Sequence, residues 1–222
     1  MHRKLVITAD GSTTFYIEAW KEYYHSRYGA LQESYHVFIK NGLELFPETG
    51  GEISVLEMGF GTGLNAFITW AEAEKHRLSV HYEGVEAYPL SAAEVAQLNY
   101  PDRVKAENGK TVFKAMHQLS WEETHRISPY FTLKKRQQFF SHIEDRSAFH
   151  LIYFDAFGAR VQPRLWEEAM FLKMFTALRP GGILVTYAAK GSVRRAMQQV
   201  GFTVERLPGP PGKREMLRAV KP

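Results

Sequence analysis

The chain has 222 residues, of which 45% are hydrophobic and 23% are charged. This length allows one well-buried domain but not two full enzymatic domains, and the composition is globular rather than disordered or fibrous. The absence of cysteine excludes disulfides, thiolate metal sites and cysteine nucleophiles, and we predict no metal site. No apolar run approaches the roughly 20 residues of a membrane span, and no signal-peptide core is present, so we expect a soluble, cytoplasmic protein.

Charge is unevenly distributed along the chain. The formal net charge is +4, whereas the segment from residue 190 to the C-terminus has eight basic and two acidic residues, a net charge of +6. A second basic run lies at Lys134-Lys135-Arg136. Clustered cations are typical of proteins with a polyanionic partner, but charge alone favours a solvated surface that keeps the protein soluble.

The order of predicted elements divides the chain near residue 50. Residues 1–50 are expected to form an N-terminal β-rich appendage, a lid or a small sheet, with short strands at 5–8, 15–19 and 36–39. Residues 51–222 alternate between strands, at 53–58, 80–86, 130–133, 149–154, 183–188, 202–206 and 215–220, and helices, at 64–75, 90–98, 110–118, 163–178 and 192–200. This alternation predicts an α/β, Rossmann-like domain with a mainly parallel sheet covered on both faces. The last two strands are expected to pair antiparallel at one edge.

A glycine-rich loop follows the first strand of this domain and reads Glu57-Met58-Gly59-Phe60-Gly61-Thr62-Gly63-Leu64-Asn65. Glycines at such a turn let the backbone approach a ligand closely. A dinucleotide-binding frame would place its third glycine at position 64, which is leucine, so an NAD-dependent dehydrogenase does not fit. The frame G-x-G-x-G with an acid before it instead resembles the first motif of S-adenosylmethionine-dependent methyltransferases. The resemblance implies S-adenosyl-L-methionine as cofactor, with binding residues Glu57, Gly59, Phe60, Gly61, Thr62, Gly63 and Asn65.

Two further acids follow strands of the predicted sheet. Glu86 ends the second strand, where a carboxylate is suited to accept hydrogen bonds from ribose hydroxyls; an NAD enzyme would share this acid. Asp155 follows the most apolar strand, and ligands of parallel sheets bind at such carboxyl ends. A turn or helix-capping role is the alternative for Asp155, but Pro163 already marks a separate helix start. We therefore predict that Asp155 is catalytic.

Several short motifs lie at characteristic spacing along residues 10–218. They are Glu33-x-Tyr35-x-Val37-Phe38, the glycine loop, Asp155-Ala-Phe, Pro163-x-x-Trp166, Pro180-Gly-Gly-Ile-Leu-Val-Thr186-Tyr, Gly191-x-Val-Arg194-Arg195, Gly201-Phe202 and Gly212-Lys213-Arg214-Glu215-Met216. Together they resemble the methyltransferase of the MnmC family. Two departures are Ala159, where the family usually has proline, and the basic run 134–136, near the place of an acid that holds the adenine amine.

The resemblance implies methylation of the aminomethyl amine of 5-aminomethyl-2-thiouridine at the tRNA wobble position. Asp155 would orient this amine and accept its proton. The family is often fused to a flavin-dependent oxidase, for which 222 residues leave no room, so we expect methylation only. A separate FAD-dependent oxidase or aminomethyl-forming enzyme would then act upstream.

The same resemblance implies a binding surface for the anticodon stem-loop of tRNA. The expected substrate-binding residues are Glu33, Phe157, Trp166, Tyr187, Arg194, Arg195, Lys213 and Arg214. The aromatic residues would stack on a flipped base and the cations would hold phosphates, although core packing and a solubilising face are open alternatives. A small-molecule amine methyltransferase, an aminopropyltransferase or a non-catalytic tRNA-binding module are the other functions that the sequence allows.

Overall fold

The computed structural model of the protein describes residues 2–46 and 51–222, which contain two β-sheets. The strands are β1 Arg3–Ile7, β2 Thr13–Ile17, β3 Glu22–Tyr23, β4 Ile53–Met58, β5 Val80–Val85, β6 Thr124–Ser128, β7 Phe131–Arg136, β8 Phe149–Phe154, β9 Leu178–Thr186, β10 Thr203–Pro208 and β11 Glu215–Val220. The α-helices are α1 Ala30–Ser34, α2 Leu64–His76, α3 Ala92–Val95, α4 Tyr100–Arg103, α5 Gly109–Gln118, α6 Glu168–Ala177 and α7 Gly191–Gln199. A π-helix spans Tyr35–Lys40, and 3-10 helices span Leu43–Leu45, Phe140–His142 and Pro163–Trp166.

The larger sheet has the strand order β10-β11-β9-β8-β4-β5-β7-β6. Strands β7, β5, β4, β8 and β9 are parallel, and β6, β11 and β10 pair antiparallel with their neighbours at the two edges. The predicted α/β, Rossmann-like sheet and its antiparallel last pair are therefore confirmed. The chain runs outward from β4 to β5 and β7, then returns to β8 on the other side of β4. This reversal makes the carboxyl ends of β4 and β8 the topological switch point at which such sheets bind ligands.

The central strands are apolar along almost their whole length because helices cover both faces. All six residues of β4 are buried, and in β8 only His150 is partly exposed. Helices α2 and α5 pack on one face in a hydrophobic cluster with Phe67, Phe113 and Tyr82. Helices α6 and α7 pack on the other face around Phe171 and Met197. Two buried faces explain why these strands show continuous rather than alternating hydrophobicity.

The N-terminal segment forms an antiparallel three-stranded sheet, β1-β2-β3, followed by α1 and the π-helix. Its buried side chains, including Phe15, Val37 and Phe38, belong to the same hydrophobic cluster as α2. The predicted strand at 36–39 is wrong, because these residues lie in the π-helix. The predicted boundary at residue 50 lies outside the described residues, and the division into an appendage and a methyltransferase domain stays a prediction.

Three other predicted elements differ in the structure. The helix expected at 90–98 contains only α3, which Ser91 caps at its start through a capping box with Glu94. The helix expected at 163–178 is a 3-10 helix and α6, separated at the extended residue Glu167. The turn expected at residues 180–182 lies inside β9, whose register with β8 shifts there. Strand β6, which pairs with β7 through a bulge, was not predicted.

The described part of the chain contains neither a membrane-spanning helix nor a cluster of metal ligands. No helix of residues 2–46 and 51–222 is long and apolar enough to cross a membrane. Within the same residues, no group of three or more His, Asp or Glu side chains is placed to hold a metal ion.

Candidate active site

The glycine loop lies between β4 and α2, directly at the switch point. Gly59 and Gly61 have φ values of +104° and +47°, which favour glycine. A Cβ on Gly59 would stand 2.9 Å from the carbonyl oxygen of Asp155, and a Cβ on Gly61 would stand 3.2 Å from the Tyr24 ring. The loop is therefore packed between β8 and the N-terminal segment, with its backbone exposed to the adjacent cavity.

Glu86 is placed at the carboxyl end of β5, immediately beside this loop. Its carboxylate accepts hydrogen bonds from the backbone N–H of Gly61, at 3.0 Å, and of Tyr88, at 2.8 Å. Both Glu86 and Gly61 line the cavity described below. The side chain is thus fixed in orientation by its own backbone contacts before any ligand binds.

Two carboxylates are buried behind the loop and joined by one amide. The Asn65 side-chain NH₂ donates to Glu57 Oε1 at 3.0 Å and to Asp155 Oδ2 at 2.8 Å. Glu57 is fully buried, and burial together with the negative charge of Asp155 raises its pKa well above the ordinary value. Burial, with the charge of Glu33 adding to it, raises the pKa of Asp155 to about 7. The sequence placed these three residues correctly at strand ends and a helix start, but not in contact.

This group of residues has the chemistry of a cation-binding site. Burying ionised carboxylates costs free energy unless a cation or hydrogen-bond donors compensate. The side-chain oxygen Asn65 Oδ1 is also buried without a hydrogen-bond partner among the described residues. A ligand with an ammonium and a sulfonium group, such as S-adenosylmethionine, fits this set of acceptors.

The cavity beside the loop has a volume of about 530 Å³, within the usual range for a cofactor-sized ligand. Gly59, Gly61, Glu86 and Asp155 line this cavity, and Asn65 joins Asp155 to the buried Glu57. Aromatic residues that the sequence did not identify also line it: Tyr88, Phe139 and Phe140. The Tyr88 and Phe139 rings are in edge contact at 6.0 Å and both are about half exposed.

Not all predicted cofactor residues face this cavity. The Phe60 side chain is buried and packs on His117, with 5.6 Å between ring centroids. Thr62 is also buried, and its hydroxyl contacts His25 Nε2 at 2.7 Å. Gly63 begins α2, and a Cβ there would stand 2.8 Å from His117 Nε2. These three loop residues face the protein interior and hold the loop in place.

His25, which sequence reasoning missed, is the side chain next to Asp155 on the N-terminal segment. Its Nδ1 lies 3.9 Å from Asp155 Oδ2. Burial lowers the pKa of His25 to about 4, so the imidazole is neutral at physiological pH. No pattern in the sequence links positions 25 and 155.

The predicted substrate residues Glu33, Tyr187 and Lys213 form one cluster. The Lys213 ammonium donates to Glu33 Oε1 and lies 3.8 Å from the centroid of the Tyr187 ring. The Tyr187 hydroxyl donates to the carbonyl oxygen of Ala156 at 2.8 Å, next to Asp155. The structure brings these residues together from three distant parts of the chain.

The predicted aromatic residues have different surroundings. Phe157 lines the cavity, and its ring is in edge contact with the rings of Trp20 and Tyr24, at centroid distances of 5.2 Å and 5.0 Å. Trp166 is buried in the hydrophobic core, and its indole N–H donates to the carbonyl oxygen of Phe157 at 2.8 Å. Trp20 and Tyr24 were not predicted as site residues.

The predicted cations lie on a more open face. A second cavity of about 540 Å³ is lined by Lys213, Arg214 and Tyr187, among others. Arg194 and Arg195 lie in the first turn of α7. Arg195 and Arg214 are exposed and Arg194 is half-buried. The basic run 134–136 has a different place, in β7, where Arg136 pairs with Glu83 and Asp145 and Lys135 is buried.

Comparison with known proteins agrees with this geometry. Residues 114–222 match a family described as S-adenosyl-L-methionine-dependent methyltransferase. Among solved structures, MNMC2 from Aquifex aeolicus superposes on the whole chain and on 72% of its own length, with a TM-score of 0.78 and 24% identity. Spermidine synthase from Thermotoga maritima has a TM-score of 0.55 and 11% identity, covering 72% of that chain. These two structures share the fold.

The chain therefore has a Rossmann-like fold, and its C-terminal part matches an S-adenosylmethionine-dependent methyltransferase family. Its curated relatives indicate a narrower group within this class. It is 30% identical, over 97% of its length, to the tRNA 5-methylaminomethyl-2-thiouridine biosynthesis bifunctional protein MnmC of Aromatoleum aromaticum, and 31% identical, over 95%, to that of Polaromonas naphthalenivorans. The chain spans about a third of the length of these curated relatives, 35% and 34%. It resembles the methyltransferase of the MnmC family.

Proposed function

We propose that this chain methylates the aminomethyl amine of 5-aminomethyl-2-thiouridine at the tRNA wobble position in the cytoplasm. The observation that carries the proposal is the position of Asp155, a buried carboxylate at the switch point that lines one cavity together with the glycine loop and several aromatic residues. The length over which the chain resembles MnmC proteins supports the tRNA substrate.

We assign the cofactor to the cavity lined by Gly59, Gly61 and Glu86. Glu86 would hold the ribose hydroxyls, because its carboxylate is already oriented at the tip of β5. Glu57 and Asn65 would compensate the positive charges of the cofactor from behind the loop. When bound, S-adenosylmethionine supplies an electrophilic methyl group on its sulfonium.

Asp155 has the properties of a proton acceptor for the substrate amine. A primary alkylamine has a pKa near that of lysine, about 10.4, so it arrives protonated and must lose a proton to become nucleophilic. Burial raises the pKa of Asp155 to about 7, which makes this carboxylate a stronger base than an exposed one. Positive charge nearby favours its ionised form, so a bound cationic cofactor would leave Asp155 free to accept the proton.

The surface around the second cavity would hold the RNA. Arg214 lines this cavity, and Arg194 and Arg195 directly follow Val193, which also lines it. None of the three arginines has an acidic partner among the described residues. Such cations bind phosphates and so position the substrate without reading its sequence. Phe157 and Trp20, which line the first cavity with their rings in edge contact, would contact a base that leaves the stack.

Methyl transfer from labelled S-adenosylmethionine to bulk tRNA, from cells that lack this enzyme, tests the proposal. In single turnover at saturating cofactor, we expect Asp155→Asn to bind tRNA normally but to transfer methyl groups at least about 10²-fold more slowly. A rate within a few-fold of wild type would show that Asp155 is a turn residue. Transfer to free small amines that does not depend on salt would instead favour a small-molecule methyltransferase.

A further inference from the structure

The Lys213 side chain reaches from the C-terminal loop to the N-terminal segment and ends in a small, well-defined site. Its ammonium contacts the Glu33 carboxylate and the face of the Tyr187 ring, 3.8 Å from the ring centroid. The Glu33 side chain is only 7% exposed, so its charge is largely removed from water. A carboxylate and an aromatic face are the two groups with which proteins recognise alkylammonium ions.

This site is held in place by contacts that do not involve Lys213. Glu33 Oε2 accepts a hydrogen bond from the backbone N–H of Ser26 at 2.7 Å. The Tyr187 hydroxyl donates to the carbonyl oxygen of Ala156 at 2.8 Å. The acceptor and the ring therefore keep their orientation if the ammonium leaves.

The site is near both the open face and Asp155. Tyr187 and Lys213 line the second cavity, beside the exposed Arg214. The Tyr187 hydroxyl bonds the residue after Asp155, and the charges of Glu33 and Lys213 raise and lower the pKa of Asp155 respectively. A ligand held by Glu33 and Tyr187 would therefore be close to Asp155.

We propose that Glu33 and Tyr187 form a binding site for a primary alkylammonium group, and that Lys213 is its exchangeable occupant in the free protein. The inference rests on the proposed function, because the aminomethyl group of that substrate is itself a primary alkylammonium. On binding, the substrate amine replaces the Lys213 ammonium on Glu33. Lys213, whose side chain is 32% exposed, then turns toward the open face, where its ammonium can pair with RNA phosphates.

The test is rescue of Lys213→Ala by n-propylammonium chloride, in the absence of tRNA and S-adenosylmethionine. We expect a saturable rise in Tm of about 3–6 °C at ten times the dissociation constant, since a ligand of the folded state alone stabilises it by about 1.4 kcal/mol through mass action. Wild type, in which Lys213 fills the site, should show no more effect than equal potassium chloride. The uncharged propan-1-ol should not rescue the variant.

Two further variants locate the effect. Adding Glu33→Gln to Lys213→Ala should abolish the rescue, because the carboxylate is gone. Lys221→Ala is the matched control: Lys221 also lies over an aromatic ring, 4.7 Å from the Phe175 centroid, but donates to backbone carbonyls instead of a carboxylate. It should gain nothing from n-propylammonium.

Every outcome of this experiment is decisive. If Lys213→Ala is unfolded alone, recovery of its far-UV circular dichroism on adding n-propylammonium is the same readout. Absence of rescue by either measure, or equal rescue in the Glu33→Gln double variant or the Lys221→Ala control, overturns the proposal. Because the test uses neither tRNA nor cofactor, its failure leaves the methyl-transfer experiment unaffected, and failure of methyl transfer leaves this result standing.

Discussion

Asp155→Asn should stabilise the cofactor-free protein, although it removes the proposed proton acceptor. The carboxyl titrates near 3.8 when exposed, whereas burial raises its pKa to about 7 in the folded protein. Between these two values the folded state binds more protons than the unfolded state, so wild-type stability falls as pH rises through this window. Above about pH 7 the destabilisation of the folded state by the ionised Asp155 no longer changes with pH.

The size of this effect follows from the two pKa values. Each unit of difference is worth about 1.4 kcal/mol, so the ionised carboxylate costs about 4 kcal/mol at pH 8 and about 1.5–2 kcal/mol at pH 5. Asparagine carries no charge and can still accept the hydrogen bond from Asn65 that Asp155 accepts. The variant should therefore exceed wild type in free energy of unfolding by roughly these amounts.

Urea unfolding at both pH values, without cofactor, measures the difference. Asp102→Asn is the control: its side chain is 58% exposed and pairs with Lys110, so its effect should stay within about 0.5 kcal/mol at either pH. A variant at position 155 that is less stable than wild type, or equally changed at both pH values, would refute the reasoning about buried charge.

Three further predictions concern ligands. Gly61→Val should abolish binding of S-adenosylmethionine in calorimetry, because its φ of +47° and the nearby Tyr24 ring leave no room for a branched side chain; normal affinity would contradict this. Binding of S-adenosylmethionine near pH 7 should release protons, seen as a buffer-dependent calorimetric enthalpy that Asp155→Asn reduces, since cationic charge lowers the pKa of this carboxyl. Alanine substitutions at Arg194, Arg195 and Arg214 should each lower the slope of log affinity for tRNA against log salt concentration, by about one unit for each lost phosphate contact. Alanine at Arg218, which pairs with Glu205, should leave this slope unchanged. If the slopes of all four variants equal that of wild type, the three arginines belong to a solvated surface.

The sequence predicted the parts of the fold that depend on local pattern. Strands β4 and β8 are six-residue segments of mostly apolar residues, and their ends predicted the place of the glycine loop and Asp155 at the switch point. The strand prediction at 36–39 was wrong because β-branched and aromatic residues have high strand propensity. In the structure, these residues form a helix in which Val37 and Phe38 pack into the hydrophobic cluster.

The site contacts could not be predicted because they join distant residues. Lys213 and Glu33 are 180 positions apart, and the family resemblance implied a role in substrate binding for each without showing that they pair. His25 has no motif around it, and only the packing of the N-terminal segment places it beside Asp155. Long-range pairs of this kind depend on how the segments dock, which local pattern does not encode.

The identity of the methylated nucleoside tests the central claim most directly. Bulk tRNA from cells that lack this enzyme is incubated with the protein and S-adenosylmethionine, digested to nucleosides and analysed by mass spectrometry. The account predicts that 5-aminomethyl-2-thiouridine disappears and its N-methyl product, heavier by one methylene unit, takes its place, and that Asp155→Asn leaves the substrate largely unconverted. An unchanged 5-aminomethyl-2-thiouridine peak with wild-type protein, or a methyl group on a different nucleoside, would contradict it.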